Sequence, residues 1–163
     1  MYKHGDDGAF RQLYELYSPG LFNYLVRLVS DWHRAEDMLV ETFTKLARSD
    51  LDERGTVKAW LYRVATNQCY KWFRKNKHQE VELNEDTWIP LQQRDHIPRF
   101  EREIKVQKIL HRLSDQHRVV IVMKFYNEMS YQEIADVLCI PLGTVKSRMH
   151  EAMKALRRLH ELP

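Results

Sequence analysis

The fold of the C-terminal half is decided by SYQEIADVLCIPLGTVKSRMH, residues 130–150. Ser130 and Glu133 have the spacing of a capping box, in which each side chain accepts a hydrogen bond from a backbone N–H at the start of a helix. The apolar residues that follow predict a short helix over 131–138. A tight turn of four residues then leads into a second helix over 143–160. Two helices joined in this way are typical of a helix-turn-helix.

The second helix of this motif carries a cationic face opposite an apolar one. In a helix-turn-helix, this helix lies in the major groove of DNA with its N-terminal residues against the base edges. Cations near a helix start interact unfavourably with the helix dipole, so Lys146 and Arg148 indicate a phosphate or guanine partner. A plain helical hairpin with a solvated basic face is the alternative. The polar face consists of Lys146, Ser147, Arg148, His150, Lys154, Arg157 and Arg158.

The composition of the chain favours a helical protein with packed cores. Its 163 residues are 44% hydrophobic and include only five glycines and five prolines, too few for a loop-rich sandwich or barrel. No apolar run approaches the ~18 residues of a membrane span, and the N-terminus lacks the apolar segment of a signal peptide. Cys69 and Cys139 form no CxxC or metal-ligand spacing. We therefore expect a cytoplasmic protein that inserts into no membrane and carries no metal or other cofactor.

Three helices are predicted ahead of this motif, over 7–29, 32–48 and 57–77. Apolar residues recur at helical spacing in each of them. Pro19 lies inside the first helix and predicts a kink or a break there. Asp31 precedes the second helix and is a favourable N-cap residue. The apolar face of that second helix consists of Ala35, Met38, Leu39, Thr42, Phe43 and Leu46.

Residues 79–98 break this helical periodicity. They contain Pro90 and Pro98, alternate acidic with apolar side chains and show no amphipathic face. A structureless stretch of about 20 residues is unusual inside a compact domain, so we interpret it as a flexible linker. The prediction is an all-α protein of two small helical domains, residues 1–78 and 99–163. Helices of the second domain are expected over 99–112, 115–126, 131–138 and 143–160.

The predicted helix over 57–77 combines cations with aromatic side chains. Residues 54–78 contain seven Lys or Arg and no Asp or Glu, although the net charge of the chain is only +3. Such a helix is typical of a surface that follows nucleic-acid phosphates, and a charge block that only keeps the helix soluble is the alternative. Trp60 and Trp72 lie near the apolar stripe and are assigned to the core. Base stacking and core packing both remain open for Tyr62, Tyr70 and Phe73. The cationic stripe consists of Arg63, Asn67, Lys71, Arg74, Lys75 and His78.

Two longer stretches carry a resemblance to a known family. They are AEDMLVETFTKL (35–46) with VKAWLYRVATNQCYKWFRK (57–75), and LSDQHRVVIVMKFYNEMSYQEIADVLCIPLGTVKSRMHEAMKALRRL (113–159). The chain resembles the bacterial extracytoplasmic-function (ECF) RNA polymerase sigma factors, the first stretch in their region 2 and the second in their region 4. The resemblance implies a protein that binds core RNA polymerase, recognises minus-10 and minus-35 promoter elements and helps to open the DNA. It also implies no enzymatic activity and an anti-sigma factor as a further partner.

The resemblance further implies the contact residues. Helix 32–48 is expected to dock on the clamp helices of the largest polymerase subunit, and the second domain on the flap region of the second-largest subunit. The polymerase contacts are Asp37, Leu39, Val40 and Glu41. The contacts to the minus-10 element and the separated strand are Arg54, Lys58, Arg63, Asn67, Lys71, Arg74 and Lys75. The contacts to the minus-35 element are Thr144, Lys146, Ser147, Arg148, His150 and Lys154.

Two alternatives from other functional classes remain. A helix-turn-helix regulator that acts without core polymerase leaves the sequence of 35–46 and the basic helix unexplained. A small hydrolase or nuclease would have to use acids such as Asp37 and Glu41, for which no third metal ligand is evident. Glu36 does not supply it, because adjacent helical residues point about 100° apart. His111 and His117 form no metal pattern and are expected at the surface or in helix caps.

Overall fold

Seven α-helices form the part of the chain that the computed structural model describes, residues 7–49, 51, 55–76 and 97–160. No strand occurs in these ranges, so the all-α prediction is confirmed. Every predicted helix is present, and its ends differ from the prediction by at most two residues. The helices are α1 (Asp7–Val29), α2 (Trp32–Arg48), α3 (Val57–Lys75), α4 (Ile97–Arg112), α5 (Asp115–Phe125), α6 (Tyr131–Leu138) and α7 (Leu142–His160).

The predicted linker lies almost wholly outside the described residues. Of the range 79–98, only residues 97 and 98 are described, and they already belong to α4. We refer to α1–α3 as the N-terminal half and to α4–α7 as the C-terminal half. None of the helices in the described ranges combines the length and the hydropathy needed to cross a membrane.

The first helix continues through Pro19, so of the predicted kink or break the break does not occur. Proline lacks the N–H that bonds to the carbonyl four residues earlier, which leaves this turn one hydrogen bond short. Tertiary packing offsets that loss, because α1 lies against both α2 and α3 and buries Leu21, Tyr24, Leu25 and Leu28 completely. Most helical stability in proteins comes from such packing rather than from local propensity.

Buried polar pairs fix how the three helices of the N-terminal half meet. The Gln68 side-chain amide of α3 donates to Thr42 Oγ1 of α2 at 2.7 Å. The Tyr24 hydroxyl of α1 lies 2.7 Å from Thr66 Oγ1 of α3. A buried polar group without a partner is costly, so these pairs favour one register between the helices.

The predicted helix caps are present. Asp31 Oδ1 accepts from the Arg34 N–H at 2.9 Å where α2 begins. In the capping box of α6, Ser130 Oγ accepts from the Glu133 N–H at 3.1 Å and Glu133 Oε2 accepts from the Ser130 N–H at 2.8 Å. The bond from the Ser130 N–H, together with the Lys58 ammonium, lowers the pKa of Glu133 to about 2. The short helix α6 therefore begins where its sequence predicts.

The helices α6 and α7 form the predicted helix-turn-helix. Cys139 ends α6 with a φ of 52°, in the left-handed region that favours glycine. The chain turns there and α7 packs back on α5 and α6, with Val145, Met149 and Ala152 buried. This burial decides which side of α7 remains available to a partner.

The two halves pack directly on each other where α1 ends. The last carbonyls of a helix have no intrahelical partner. Gln107 Nε2 of α4 donates to Arg27 O at 2.6 Å, and Arg118 Nη1 of α5 donates to Leu28 O at 3.1 Å. Side chains of the C-terminal half therefore cap the last turn of α1.

His111 belongs to this contact, so its expected position at the surface or in a cap is wrong. Its Nε2 is hydrogen-bonded to Ser30 Oγ, which follows the end of α1. Burial and the nearby Arg118 guanidinium lower the pKa of His111 to about 3. The imidazole is therefore neutral at physiological pH, because burial disfavours the charged form.

Candidate nucleic-acid interface

The cationic face of α7 is directed away from the core. The apolar side of α7 is buried through Val145 and Met149, which lie one turn apart. A helix that buries one stripe exposes the residues between its turns. Ser147 Oγ donates to Thr144 O at 3.0 Å, within the first turns of the helix. The exposed members of the predicted minus-35 set are Lys146, Ser147, His150 and Lys154, and Thr144 is half-buried.

Arg148 is oriented differently from the other cations of this set. It is half-buried and acts electrostatically on Tyr70 of α3. Burial raises the pKa of Tyr70 to about 12, and the positive charge of Arg148 lowers it in part. Arg148 therefore lies close to the N-terminal half, whereas Lys146 two residues earlier is exposed.

A second cationic surface runs along the C-terminal part of α3. Asn67, Lys71, Arg74 and Lys75 are all exposed. Their spacing places them on one side of the helix, over more than two turns. Lys71, Arg74 and Lys75 have no ion-pair partner among the described residues. Unpaired cations in a row can follow successive phosphates of a nucleic acid.

The N-terminal part of the same helix is covered by α6. Lys58 Nζ forms an ion pair with Glu133 Oε1 at 3.0 Å. Arg63 Nε donates to Val137 O at 3.1 Å, and Arg63 Nη2 donates to Asp136 O at 2.6 Å. Two residues of the predicted minus-10 set are therefore bound within the chain. Arg54 of that set, like the expected stripe member His78, lies outside the described residues.

The aromatic side chains of α3 serve mainly to pack the protein. Tyr62 is 4% exposed and its hydroxyl accepts from Asn127 Nδ2 at 3.0 Å, and Phe73 is 5% exposed. Base stacking, left open for these two residues, is therefore excluded in this structure. Trp60 and Trp72 are half-buried against the core, as predicted. Tyr70 is half-buried, and its hydroxyl is enclosed without a hydrogen-bond partner in the described part of the chain.

A third surface, acidic and partly apolar, lies on α2. Asp37, Val40 and Glu41 are exposed, and Val40 keeps 58% of its surface in solvent. Glu41 Oε1 accepts from Lys45 Nζ at 2.6 Å. Leu39 is the exception in the predicted polymerase set, because it is only 7% exposed and belongs to the core. A residue that already packs the N-terminal half has little surface left for a partner.

The chain matches known protein families in both of its halves. The Sigma-70 region 2 family matches residues 13–79, and the Sigma-70, region 4 family matches residues 109–158. The chain is 30% identical to the ECF RNA polymerase sigma factor SigW of Bacillus subtilis (strain 168), over 96% of this chain and 91% of that protein. The chain belongs to the ECF RNA polymerase sigma factors. A helix-turn-helix regulator without a region 2 does not account for these matches.

Further relatives extend the likeness over most of this sigma factor. It is 33% identical to the ECF RNA polymerase sigma factor SigL of Mycobacterium tuberculosis (strain ATCC 25618 / H37Rv), over 90% of this chain and 86% of that one. Its structure resembles the sigma factor RpoE in complex with the anti-sigma factor NepR from Bartonella quintana. That likeness has a TM-score of 0.70 at 26% identity and covers 94% of this chain and 98% of RpoE. As an ECF sigma factor, the protein directs transcription initiation.

The family matches fall on the helices that carry the three surfaces. The region 2 match contains α2 and α3 with their acidic and cationic faces, and the region 4 match contains the helix-turn-helix.

Among the described residues, no group of three or more His, Cys, Asp or Glu side chains is arranged to hold a metal ion.

Sequence reasoning missed the residues that join the two halves of this sigma factor. Gln107, His111, Arg118 and Asn127 all form hydrogen bonds from the C-terminal half to the N-terminal half. Such long-range partners leave no periodic pattern in the sequence. Arg118 offers the only local signal, since it stands directly before the apolar run 119–123. A charge at the edge of a buried segment requires a partner.

Proposed function

We propose that this sigma factor binds core RNA polymerase through α2 and contacts promoter DNA through α3 and α7. One observation carries the proposal: the chain separates its charges onto three surfaces that lie on different helices. An exposed acidic face occurs on α2, unpaired cations on α3 and a cationic outer face on α7. A sigma factor needs one surface for the enzyme and two for separate promoter elements.

The polymerase surface is formed by Asp37, Val40 and Glu41. These residues are exposed at helical spacing, so a single partner helix can contact all three. Charged residues at the edge of this surface increase the rate of association with a partner of opposite charge. The exposed Val40 supplies apolar area that binding buries. We assign this surface to the clamp helices of the largest polymerase subunit. The C-terminal half is assigned to the flap region of the second-largest subunit.

The minus-10 element is contacted by α3. Its exposed Asn67, Lys71, Arg74 and Lys75 neutralise phosphates beside the site where the strands separate. Opening a duplex costs a few kcal/mol for each unstacked base, and binding of the separated strand offsets this cost. Arg54, Lys58 and Arg63 extend the same contact toward the start of the helix.

The minus-35 element is contacted by α7 in the major groove. Thr144, Lys146 and Ser147 lie in its first turns, where a recognition helix meets base edges. Farther along the helix, the contact includes Arg148, His150 and Lys154. The exposed Lys146 and Lys154 support the phosphate part of this contact, since each neutralised phosphate releases counterions.

The protein acts as a binding factor in the cytoplasm and not as an enzyme. Promoter recognition and melting require no covalent step from the sigma factor, and the polymerase supplies the metal ions for RNA synthesis. We infer no cofactor of its own. We also propose a division into a region 2 domain over 1–78, a linker over 79–98 and a region 4 domain over 99–163.

An anti-sigma factor is proposed as a further partner. The likeness to RpoE in complex with the anti-sigma factor NepR supports this proposal. Such a partner would restrain the sigma factor by covering the surfaces described above. Copurification of a tagged chain from its own cells, with and without excess core polymerase, would identify it.

Transcription with reconstituted holoenzyme tests the proposed function. Core polymerase is incubated with the protein and fragmented genomic DNA, and transcript starts are sequenced. We expect discrete starts preceded by two shared sequence elements at constant spacing. Starts at random positions, identical to those of core polymerase alone, would overturn the proposal.

A charge reversal on α2 tests the polymerase surface. Asp37→Lys with Glu41→Lys should weaken binding to core polymerase at least tenfold, because one rim charge typically changes association and two reversals introduce repulsion. Asp7→Lys with Glu15→Lys, two reversals at exposed sites on α1, serves as the matched control. Equal affinity of the double variant and the control for core polymerase would contradict the assignment.

A further inference from the structure

The outer face of α7 contains one acidic residue among its cations. Glu151 is the only Asp or Glu in this helix, and its side chain is exposed. It lies in the middle of α7, too far from the helix start for a favourable interaction with the helix dipole. The exposed cations of the same helix are Lys146, Lys154, Arg157 and Arg158. An acid is unexpected on a surface that neutralises phosphates, so Glu151 requires an explanation of its own.

Glu151 does not pair with the neighbouring cations. Arg148 and Lys154 each lie three positions away, a spacing at which helical side chains of opposite charge can form ion pairs. Glu151 nevertheless takes part in no ion pair within the part of the chain that the structure describes. The carboxylate oxygens therefore keep their capacity to accept hydrogen bonds from a partner outside the chain.

The side chain next to Glu151 leaves it room to enter a groove. Ser147 lies one turn earlier on the same side of α7. Its Oγ donates to Thr144 O at 3.0 Å, so this short side chain is turned toward the backbone of its own helix. Glu151 is longer than Ser147 and extends past it. If α7 lies in the major groove, we expect the carboxylate to reach the base edges.

Only some groups of DNA can donate to a carboxylate. Phosphates repel it, and in the major groove thymine O4 and guanine O6 and N7 are acceptors. The donors are the amino groups at cytosine N4 and adenine N6, but adenine places its N7 acceptor beside the amino group. A carboxylate that loses its water in the groove and finds no donor is costly. Cytosine is therefore the base that fits Glu151.

We propose that Glu151 is a specificity-determining residue that accepts a hydrogen bond from the N4 amino group of one cytosine in the minus-35 element. The inference rests on the proposed function, since it requires that α7 contacts this element. The surrounding cations supply affinity for phosphates, which carries no sequence information. Glu151 repels DNA in general and selects one base, because the other three bases leave its carboxylate unpaired or facing an acceptor.

Transcription from a promoter library tests this role. The promoter mapped with reconstituted holoenzyme is synthesised with all four bases at each position of its upstream element, and transcripts are counted by sequencing. We expect one position, on one strand, at which the unaltered sigma factor prefers cytosine over each other base by at least about fivefold. A structural defect lowers transcription from all members of the library alike, so a preference at a single position reports the contact itself.

Two substitutions of Glu151 should change this preference in different ways. Glu151→Ala removes the acceptor, so the four bases at that position should give nearly equal transcription. Glu151→Gln should favour adenine there, because an amide side chain pairs with adenine N6 and N7. Preferences at the other positions should remain, since well-separated base pairs contribute additively. Glu15→Ala and Glu15→Gln, at an exposed acid of α1, are the matched controls and should leave the cytosine preference unchanged.

The possible results separate this inference from the proposed function. If Glu151→Ala keeps the base preferences of the unaltered protein, or changes transcription from all library members by the same factor, the role of Glu151 is overturned. Base preferences in the upstream element would then still support the contact of α7 with DNA. If no upstream position influences transcription and Lys146→Ala with Lys154→Ala also has no effect, the contact of α7 is contradicted together with the role of Glu151.

Discussion

Single residues of this sigma factor show how burial changes ordinary chemistry. The Cys69 thiol is fully buried, which raises its pKa to about 12 and leaves it unreactive. Arg118 keeps its charge inside the protein because it donates to backbone carbonyls, among them Leu110 O at 3.1 Å and Leu28 O at 3.1 Å. A buried charge is tolerated when its hydrogen bonds are satisfied in this way.

The neutral His111 makes folding stability depend on pH. Its pKa is about 3 in the folded protein and about 6.5 in an unfolded chain. The unfolded state therefore binds more protons between these values, and stability is complete above pH 6.5 and lost as the pH falls toward 3. We expect the free energy of unfolding to decrease by about 2 kcal/mol from pH 7 to pH 5.

Chemical denaturation at several pH values measures this effect. His111→Gln keeps a hydrogen-bonding group beside Ser30 but does not titrate, so its stability should change much less over the same range. His33→Gln, at an exposed position of α2, is the control and should retain the full pH dependence. A pH dependence of His111→Gln that equals that of the control would show that another group is responsible.

Helix ends and helix faces determine what each element of this sigma factor does. The capping box begins α6 at Tyr131, and the left-handed Cys139 ends it. Because this length and turn are set locally, the apolar stripe of α7 returns to the core and its cationic face points outward. Residues in α6 and the turn thus determine which face of α7 is exposed, and that face is the one proposed to contact DNA.

Loss of the cap should destabilise the C-terminal half. Ser130→Ala removes the side chain that accepts from the Glu133 N–H, which typically costs about 1 kcal/mol. Glu133→Gln preserves a capping-box residue and should cost less. Urea denaturation followed by circular dichroism measures both changes. Equal stability of Ser130→Ala and the unaltered protein would show that the cap contributes nothing.

The outer face of α7 should determine the salt dependence of upstream promoter binding. Lys146→Ala with Lys154→Ala removes two exposed cations, so the slope of log affinity against log salt should decrease by about two. Lys108→Ala on α4, also exposed, is the control and should leave the slope unchanged. Anisotropy titrations of a duplex from a mapped promoter provide the measurement, and an unaltered slope in the double variant would argue against groove insertion.

At the scale of the whole molecule, the two halves behave as one packed unit. Side chains from α4 and α5 cap α1, and α3 donates to the end of α6. Each half therefore completes hydrogen bonds that the other leaves open. This mutual dependence couples the stability of the region 2 and region 4 helices in the free protein.

Calorimetry should detect this coupling. We expect the unaltered protein to unfold in one transition, with equal calorimetric and van't Hoff enthalpies. The reason is that unfolding of one half removes hydrogen-bond partners from the other half and so destabilises it. Gln107→Ala with Asn127→Ala should lower the van't Hoff enthalpy below the calorimetric value as the halves begin to unfold separately. Gln12→Ala with Asn23→Ala, at exposed positions of α1, should behave like the unaltered protein. Identical enthalpy ratios in all three proteins would contradict the coupling.

The sequence alone was sufficient to predict the helices, their caps, the helix-turn-helix and the family resemblance. The helices and caps depend on residues within about two turns of one another, where periodicity and capping chemistry are visible in the order of residues. The helix-turn-helix and the resemblance add the order of such local motifs along the chain. The uninterrupted α1, the hydrogen bond of His111 to Ser30 and the covering of Arg63 were decided by the tertiary structure alone. They depend on which distant side chain fills a space or donates to an open carbonyl, and no local pattern records that choice.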